Sequence, residues 1–252
     1  MPKIPFQLIL AALTLALLGC RADNASQKSS NEDSRVSSAP ATPSPAAPNP
    51  TLPPEPNAAP TSSPTSAQDT RPLIICFGDS LTAGFGTDPG QSYPDFLQAD
   101  LDARGYKYLV VNEGISGNTT KDGLGRVASV IARHPSIVVV EFGGNDGLRG
   151  LPISDSRANL DKIVATLKAS GTKIVLAGIT LPPDYGPDYI QQFNATYSLL
   201  AQKYKVPLLP FLLQGVFGTD GMMQRDRTHA TAAGNKIVAH NIMPFVLPLL
   251  KK

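Results

Sequence analysis

Beyond residue 70 the chain alternates between two apolar patterns. Compact runs rich in β-branched residues recur at Leu73–Phe77, Tyr108–Asn112, Ile137–Phe142, Lys173–Ile179 and Val206–Phe211. Their apolar residues are consecutive rather than alternating, the pattern of strands covered on both faces. Between them the spacing lengthens to that of amphipathic helices. Ser92 precedes Phe96, Leu97 and Leu101; Leu124, Val127, Val130 and Ile131 follow Thr119; Leu160, Ile163, Val164 and Leu167 follow the capping candidates Ser154 and Ser156. Tyr189–Lys205 and Ala232–Leu247 read as two further helices. This alternation predicts an α/β fold of three layers, a five-stranded parallel sheet between helices. No internal repeat is visible.

Such a sheet also predicts where function sits, because ligands bind in the crevice outside the carboxyl ends of the strands. Gly78-Asp79-Ser80 follows the first run, Glu113-Gly114-Ile115-Ser116-Gly117-Asn118 the second and Gly143-Gly144-Asn145-Asp146 the third. All are small or polar and rich in glycine, so backbone N–H groups can approach a ligand closely.

The first 70 residues follow neither pattern. Leu8 to Leu18 is a continuous apolar run with Lys3 ahead of it and Gly19-Cys20 behind, the length of a signal-peptide core rather than of a bilayer span. Leu17-Leu18-Gly19-Cys20 resembles a bacterial lipobox, which implies cleavage before Cys20 and a lipid on it; the alternative is a secretory signal with an incidental cysteine. From Arg21 the chain is polar, and ten of the 26 residues from Ala39 to Pro64 are proline. Too little apolar side chain is present there to offset the entropy of ordering, so a solvated linker is expected. Its proline-rich part could reach roughly 80 Å at about 3.1 Å per residue. The expected organisation is therefore a lipoprotein signal peptide (1–19), a lipidated cysteine with linker (20–70) and one folded domain (71–252).

Charge adds little. A formal net charge of +2, without a basic cluster or interleaved aromatics, gives no case for nucleic acid. Besides Cys20 the chain has only Cys76, inside the first strand and read as a small core residue.

A serine hydroxyl becomes a useful nucleophile only when a positioned base takes its proton, and histidine is the usual base. Of the three histidines, His134 stands at the end of an expected helix and His240 inside the last one. His229 sits instead in the polar loop Gln224-Arg225-Asp226-Arg227-Thr228-His229, ahead of the final helix. In a tight turn Asp226, three residues earlier, can reach one ring nitrogen and leave the other to face a nucleophile. A turn-forming Asp226 beside a surface His229 is the competing reading. Asn145 is either a turn residue or an amide donor aimed at an oxyanion, together with the N–H groups of Ser80 and Gly117.

Taken in order, Gly78-Asp79-Ser80-Leu81, Gly117 in Ile115-Ser116-Gly117-Asn118-Thr119, Asn145 in Gly143-Gly144-Asn145-Asp146 and Asp226-x-x-His229 resemble the four blocks of the SGNH (GDSL) hydrolases. Glu141-Phe142-Gly143-Gly144-Asn145-Asp146-Gly147-Leu148-Arg149-Gly150, Leu181–Gly186 and Val206–Phe211 look like the bacterial thioesterase I/protease I/lysophospholipase branch, also called arylesterase. The resemblance implies a flavodoxin-like sheet, Ser80 as nucleophile, His229 as base, Asp226 as its partner, and an oxyanion hole of Ser80 N–H, Gly117 N–H and the Asn145 amide. It implies ester or thioester hydrolysis with no metal and no cofactor. One departure stands out: relatives commonly carry Asp-Gly-Ile-His-Pro in the last block, where this chain has Asp226-Arg227-Thr228-His229-Ala230.

The expected activity is that of a membrane-tethered serine esterase acting on small-molecule esters: short to medium acyl chains, aryl esters or lysophospholipids. Leu148, Leu151, the Leu181–Gly186 loop with Pro183 and Tyr185, and the Phe217–Met223 segment are candidates for its apolar walls. A carbohydrate O-acetyl esterase and a catalytically silent surface-binding lipoprotein remain alternatives. The chain is expected to be a monomer exported as a lipoprotein. Because Arg21 rather than aspartate follows Cys20, the outer membrane, facing the periplasm, is the expected destination.

Overall fold

A computed structural model describes residues 69–251, so the expected signal peptide, Cys20 and nearly all of the linker lie outside the described residues. The five apolar runs form β1 (Leu73–Gly78), β2 (Leu109–Gly114), β3 (Ile137–Glu141), β4 (Lys173–Ala177) and β5 (Leu208–Leu209). All pair in parallel, in the order β2-β1-β3-β4-β5. Ile74–Phe77 of β1 and Ile137–Val140 of β3 are completely buried. Helices cover both faces of these central strands, which is why their apolar residues run consecutively. β5 is far shorter than the Val206–Phe211 run, since Pro207 and Pro210 flank it and have no N–H to give a ladder.

The helices are α1 (Ser80–Ala83), α2 (Tyr93–Ala103), α3 (Thr120–Ile131), α4 (Gly144–Leu148), α5 (Ile153–Ala169), α6 (Pro187–Tyr204) and α7 (Ala232–Val246). α2 packs with α7 over one face of the sheet, while α3, α5 and α6 pack side by side over the other. Ser92 and Thr119 are the N-caps of α2 and α3. Asp95 and Asp122 close each cap from the third helical position by accepting the Ser92 N–H (2.9 Å) and the Thr119 N–H (2.8 Å). Ser154 and Ser156 do not cap α5, which begins at Ile153 behind Pro152. Ser156 is buried in its second turn and donates to Asp146 Oδ1 at 3.0 Å.

The other two histidines and Cys76 stay outside the chemistry. His134 lies past the end of α3 with φ 52, and His240, on α7, faces Asp100 Oδ2 at 3.6 Å. Cys76 is fully buried, which pushes its thiol up to about 12 and leaves no thiolate at neutral pH.

This strand order has its switch point between β1 and β3, where successive connections leave to opposite sides. The carboxyl ends of those two strands carry Ser80 and Asn145. Among the described residues, no helix is long and apolar enough to cross a membrane.

Candidate active site

Ser80 is the first residue of α1, and Asp79, not Ser80, caps that helix: its Oδ1 accepts the Leu81 N–H at 3.0 Å. The serine hydroxyl is therefore free of the capping role that its position suggests. As first helical residue, Ser80 also has an N–H with no intrahelical acceptor. The turn is tight because Gly78 allows it. A Cβ there would lie 2.1 Å from Thr82 Oγ1 and 2.5 Å from Glu141 Oε2.

Beneath this turn two acids are buried together. Glu141 Oε2 accepts the Asp79 N–H (3.3 Å) and the Thr82 hydroxyl (2.8 Å), while Glu141 Oε1 has no hydrogen-bond partner among the described residues. Burial, and then the neighbouring Asp79 charge, hold Glu141 well above the ordinary carboxyl range. Burial also pushes Asp79 up to about 6, against the hydrogen bonds it accepts from Leu81 N–H and Asn145.

His229 reaches Ser80 from a hairpin between β5 and α7. An isolated antiparallel bridge, Met223 to Ala230, closes it, and Gln224 N–H donates to His229 O at 2.8 Å. Inside the hairpin Asp226 Oδ1 accepts the N–H groups of Thr228 (3.0 Å) and His229 (3.1 Å), and Asp226 Oδ2 lies 2.6 Å from His229 Nδ1. Partial burial works to raise Asp226, but the His229 ring and these N–H donors outweigh it and hold the carboxyl below its ordinary value. An ionised Asp226 sets the proton on Nδ1, leaving Nε2 as acceptor for the Ser80 hydroxyl at 2.8 Å.

On the opposite side stand Gly117 and Asn145. Gly117 has φ 82, open to glycine at no steric cost, and this aims the β2–α3 loop. Asn145, on α4, donates through Nδ2 to Asp79 Oδ2 and to Asn118 O, both at 3.0 Å. All five residues expected at the site, Ser80, Gly117, Asn145, Asp226 and His229, are thus brought to one end of the sheet.

Four of them, Ser80, Gly117, Asn145 and His229, line one cavity of about 260 Å³, whose other walls are mostly apolar: Phe85, Leu148, Ile179, Leu181, Phe211, Leu213 and Phe217. Leu148 is where the sequence places it, but Leu151, Pro183 and Tyr185 do not line the cavity. Pro183–Tyr185 forms a 3₁₀ turn leading into α6, and the Tyr185 hydroxyl donates to Leu148 O at 2.9 Å, supporting the wall from behind. Sequence reasoning missed Phe85, whose ring lies 4.6 Å from the His229 ring. An aromatic between two glycines just after α1 was the only signal for it. Ile179, Phe211 and Leu213 were hidden because they read as strand or core.

A profile of the GDSL-like lipase/acylhydrolase family matches residues 76–237. The chain belongs to the GDSL-like lipase/acylhydrolase family. This GDSL-like acylhydrolase is 42% identical over 178 residues to esterase TesA of Pseudomonas aeruginosa, covering 70% of this chain and 89% of that one. It is 36% identical over 178 residues to thioesterase 1/protease 1/lysophospholipase L1 of Escherichia coli K12, covering 70% and 84%. A crystal structure of TesA superposes with a TM-score of 0.69 at 42% identity, over 71% of this chain and 99% of that one. As a GDSL-like acylhydrolase the chain is a hydrolase of ester bonds. Among the described residues, no cluster of three or more His, Cys, Asp or Glu side chains could hold a metal ion.

Proposed function

We propose that the chain is a serine esterase working through an acyl-enzyme, tethered to a membrane by lipidated Cys20. One observation carries the chemistry: the unbroken line Asp226 Oδ2, His229 Nδ1 (2.6 Å), His229 Nε2, Ser80 Oγ (2.8 Å), ending at an apolar cavity. Ser80 Oγ attacks the carbonyl carbon as His229 Nε2 takes its proton, and the C=O pair moves onto oxygen. The Ser80 and Gly117 N–H groups and the Asn145 amide stabilise that oxyanion. Collapse expels the alcohol, protonated by His229. A water deprotonated by His229 then attacks the acyl-serine and releases the acid.

The cavity supports the choice of substrate. At about 260 Å³ it lies near the small end of ligand sites and is walled by Phe211, Leu213 and Phe217. A single short or medium acyl chain, as in an aryl ester or a lysophospholipid, buries apolar surface there. An acetylated sugar would meet Ser116, Thr180, Arg227 and Thr228 in the lining but would set its other hydroxyls against apolar walls.

Turnover of p-nitrophenyl butyrate by the full chain tests the reading. Ser80→Ala should lower kcat by about 10⁴ to 10⁶, because members of such a triad act as a unit. A loss below about tenfold would remove Ser80 from the role of nucleophile.

A further inference from the structure

We infer that Arg126 is a positioning residue that sets the oxyanion donors relative to one another. This rests on the assignment of Ser80, Gly117 and Asn145 above and adds a residue that touches none of the reacting atoms.

Arg126 stands on α3, and its guanidinium reaches the carboxyl edge of the sheet. Nη2 donates to Gly78 O (3.2 Å), both Nη1 and Nη2 donate to Glu113 O (3.3 Å each), and Nε donates to Asn118 Oδ1 (2.9 Å). Those acceptors belong to the two stretches that supply the N–H donors. Gly78 ends β1 two residues before Ser80. Glu113 is the penultimate residue of β2, four before Gly117, and Asn118 directly follows Gly117. The third donor is joined to the same group, because Asn118 O accepts the Asn145 amide at 3.0 Å. One rigid fork therefore connects all three.

The side chain is otherwise expensive to keep here. It is 21% exposed, and Glu113 Oε2, the carboxylate oxygen nearest it among the described residues, is at 4.0 Å, while Arg133 binds the other Glu113 oxygen. Its hydrogen bonds go to main-chain carbonyls and an amide, with Cζ 4.8 Å from the centroid of the Phe77 ring. A surface ion pair needs none of this. Alignment of strand-end loops does, since oxyanion donors act only when held about 2.7–3.1 Å from the developing charge. Lysine, with a single ammonium point, cannot bridge the same acceptors.

The test compares wild type, Arg126→Lys and Arg126→Ala on p-nitrophenyl butyrate, with thermal unfolding of each. Arg126→Lys keeps the charge and the stem over Phe77. Its kcat should fall by about 10- to 100-fold, short of the full loss of one donor, with KM changed less than about threefold because ground-state binding is untouched. Millimolar methylguanidinium should restore kcat to Arg126→Ala at least several-fold and leave wild type unaffected. A folded Arg126→Lys with kcat within about twofold of wild type, a loss confined to KM, or a folded Arg126→Ala that methylguanidinium does not rescue would overturn the inference. A wild type with no esterase activity would instead overturn the reading of Ser80, so the two failures are distinguishable.

Discussion

Arg227 holds φ 57 between Asp226 and His229, a left-handed conformation that costs a residue with a Cβ about 1–2 kcal/mol. Relatives commonly have glycine there, so the departure noted in the sequence is a matter of strain rather than of lost chemistry: both Asp226 and His229 keep their hydrogen bonds. Arg227→Gly should relieve the strain and surrender about 0.5–1 kcal/mol of chain entropy. A small rise in Tm is expected on thermal unfolding, and a clear fall would show that the Arg227 side chain stabilises the hairpin. The buried pair Asp79 and Glu141 makes a second prediction. Both have folded pKa values raised above the ordinary range, Asp79 to about 6 and Glu141 further up. The folded protein therefore holds protons that the unfolded chain releases near pH 4, and the stability this gives is full below that pH. It is lost as pH rises through about 6 and beyond. Glu141→Gln removes that titration, so its Tm should gain on that of wild type as pH rises above about 6. A gap that stays flat or narrows contradicts a raised Glu141 carboxyl.

At the scale of elements, β1, β3 and β4 were legible because burial on both faces writes consecutive apolar residues, whereas β2 is only part-buried and β5 is two residues long; α2 and α3 were legible from the helical spacing after Ser92 and Thr119. α1 and α4 were not, being four and five residues long, too short for a helical period to show. α5 misled through Ser154 and Ser156, whose polarity imitates a cap while Asp146 in fact uses Ser156 from outside. The grouping of Ser80, Gly117 and Asn145 followed from strand-end logic. The cavity walls did not, since residues such as Phe211 and Leu213 look the same whether they face a core or a substrate. Size alone would also have misplaced the site. The larger cavity, about 770 Å³, is at the amino edge of the sheet, lined by Arg104, Lys107, Lys173 and Lys251. Arg104 is the C-cap of α2, where a cation complements the helix dipole, and Lys173 Nζ donates to Leu249 O. One contact between elements bears directly on rate. Gln224 Nε2 donates to Phe85 O (2.6 Å) and to Ala230 O (2.9 Å), tying the His229 hairpin to the segment after α1. Gln224→Ala should lower kcat by about 10- to 100-fold through misplacement of His229, with little change in Tm. Unchanged kcat would show that the Met223–Ala230 bridge suffices.

For the whole molecule, the proposed anchor, Cys20, lies outside both the described residues and the stretch 76–237 that the family profile matches. Attachment through Cys20 makes a simple prediction: Cys20→Ser should move the protein from the membrane fraction to the soluble one with kcat on soluble esters preserved. Retention in the membrane would point to another anchor. The central claim is covalent catalysis by Ser80, and a fluorophosphonate tests it most directly, because it captures the attacking atom itself. Peptide mass spectrometry of the labelled, folded full chain should find one phosphonyl group, on Ser80, and none in Ser80→Ala. An adduct on another residue, or no adduct in protein that still hydrolyses p-nitrophenyl butyrate, would contradict the account.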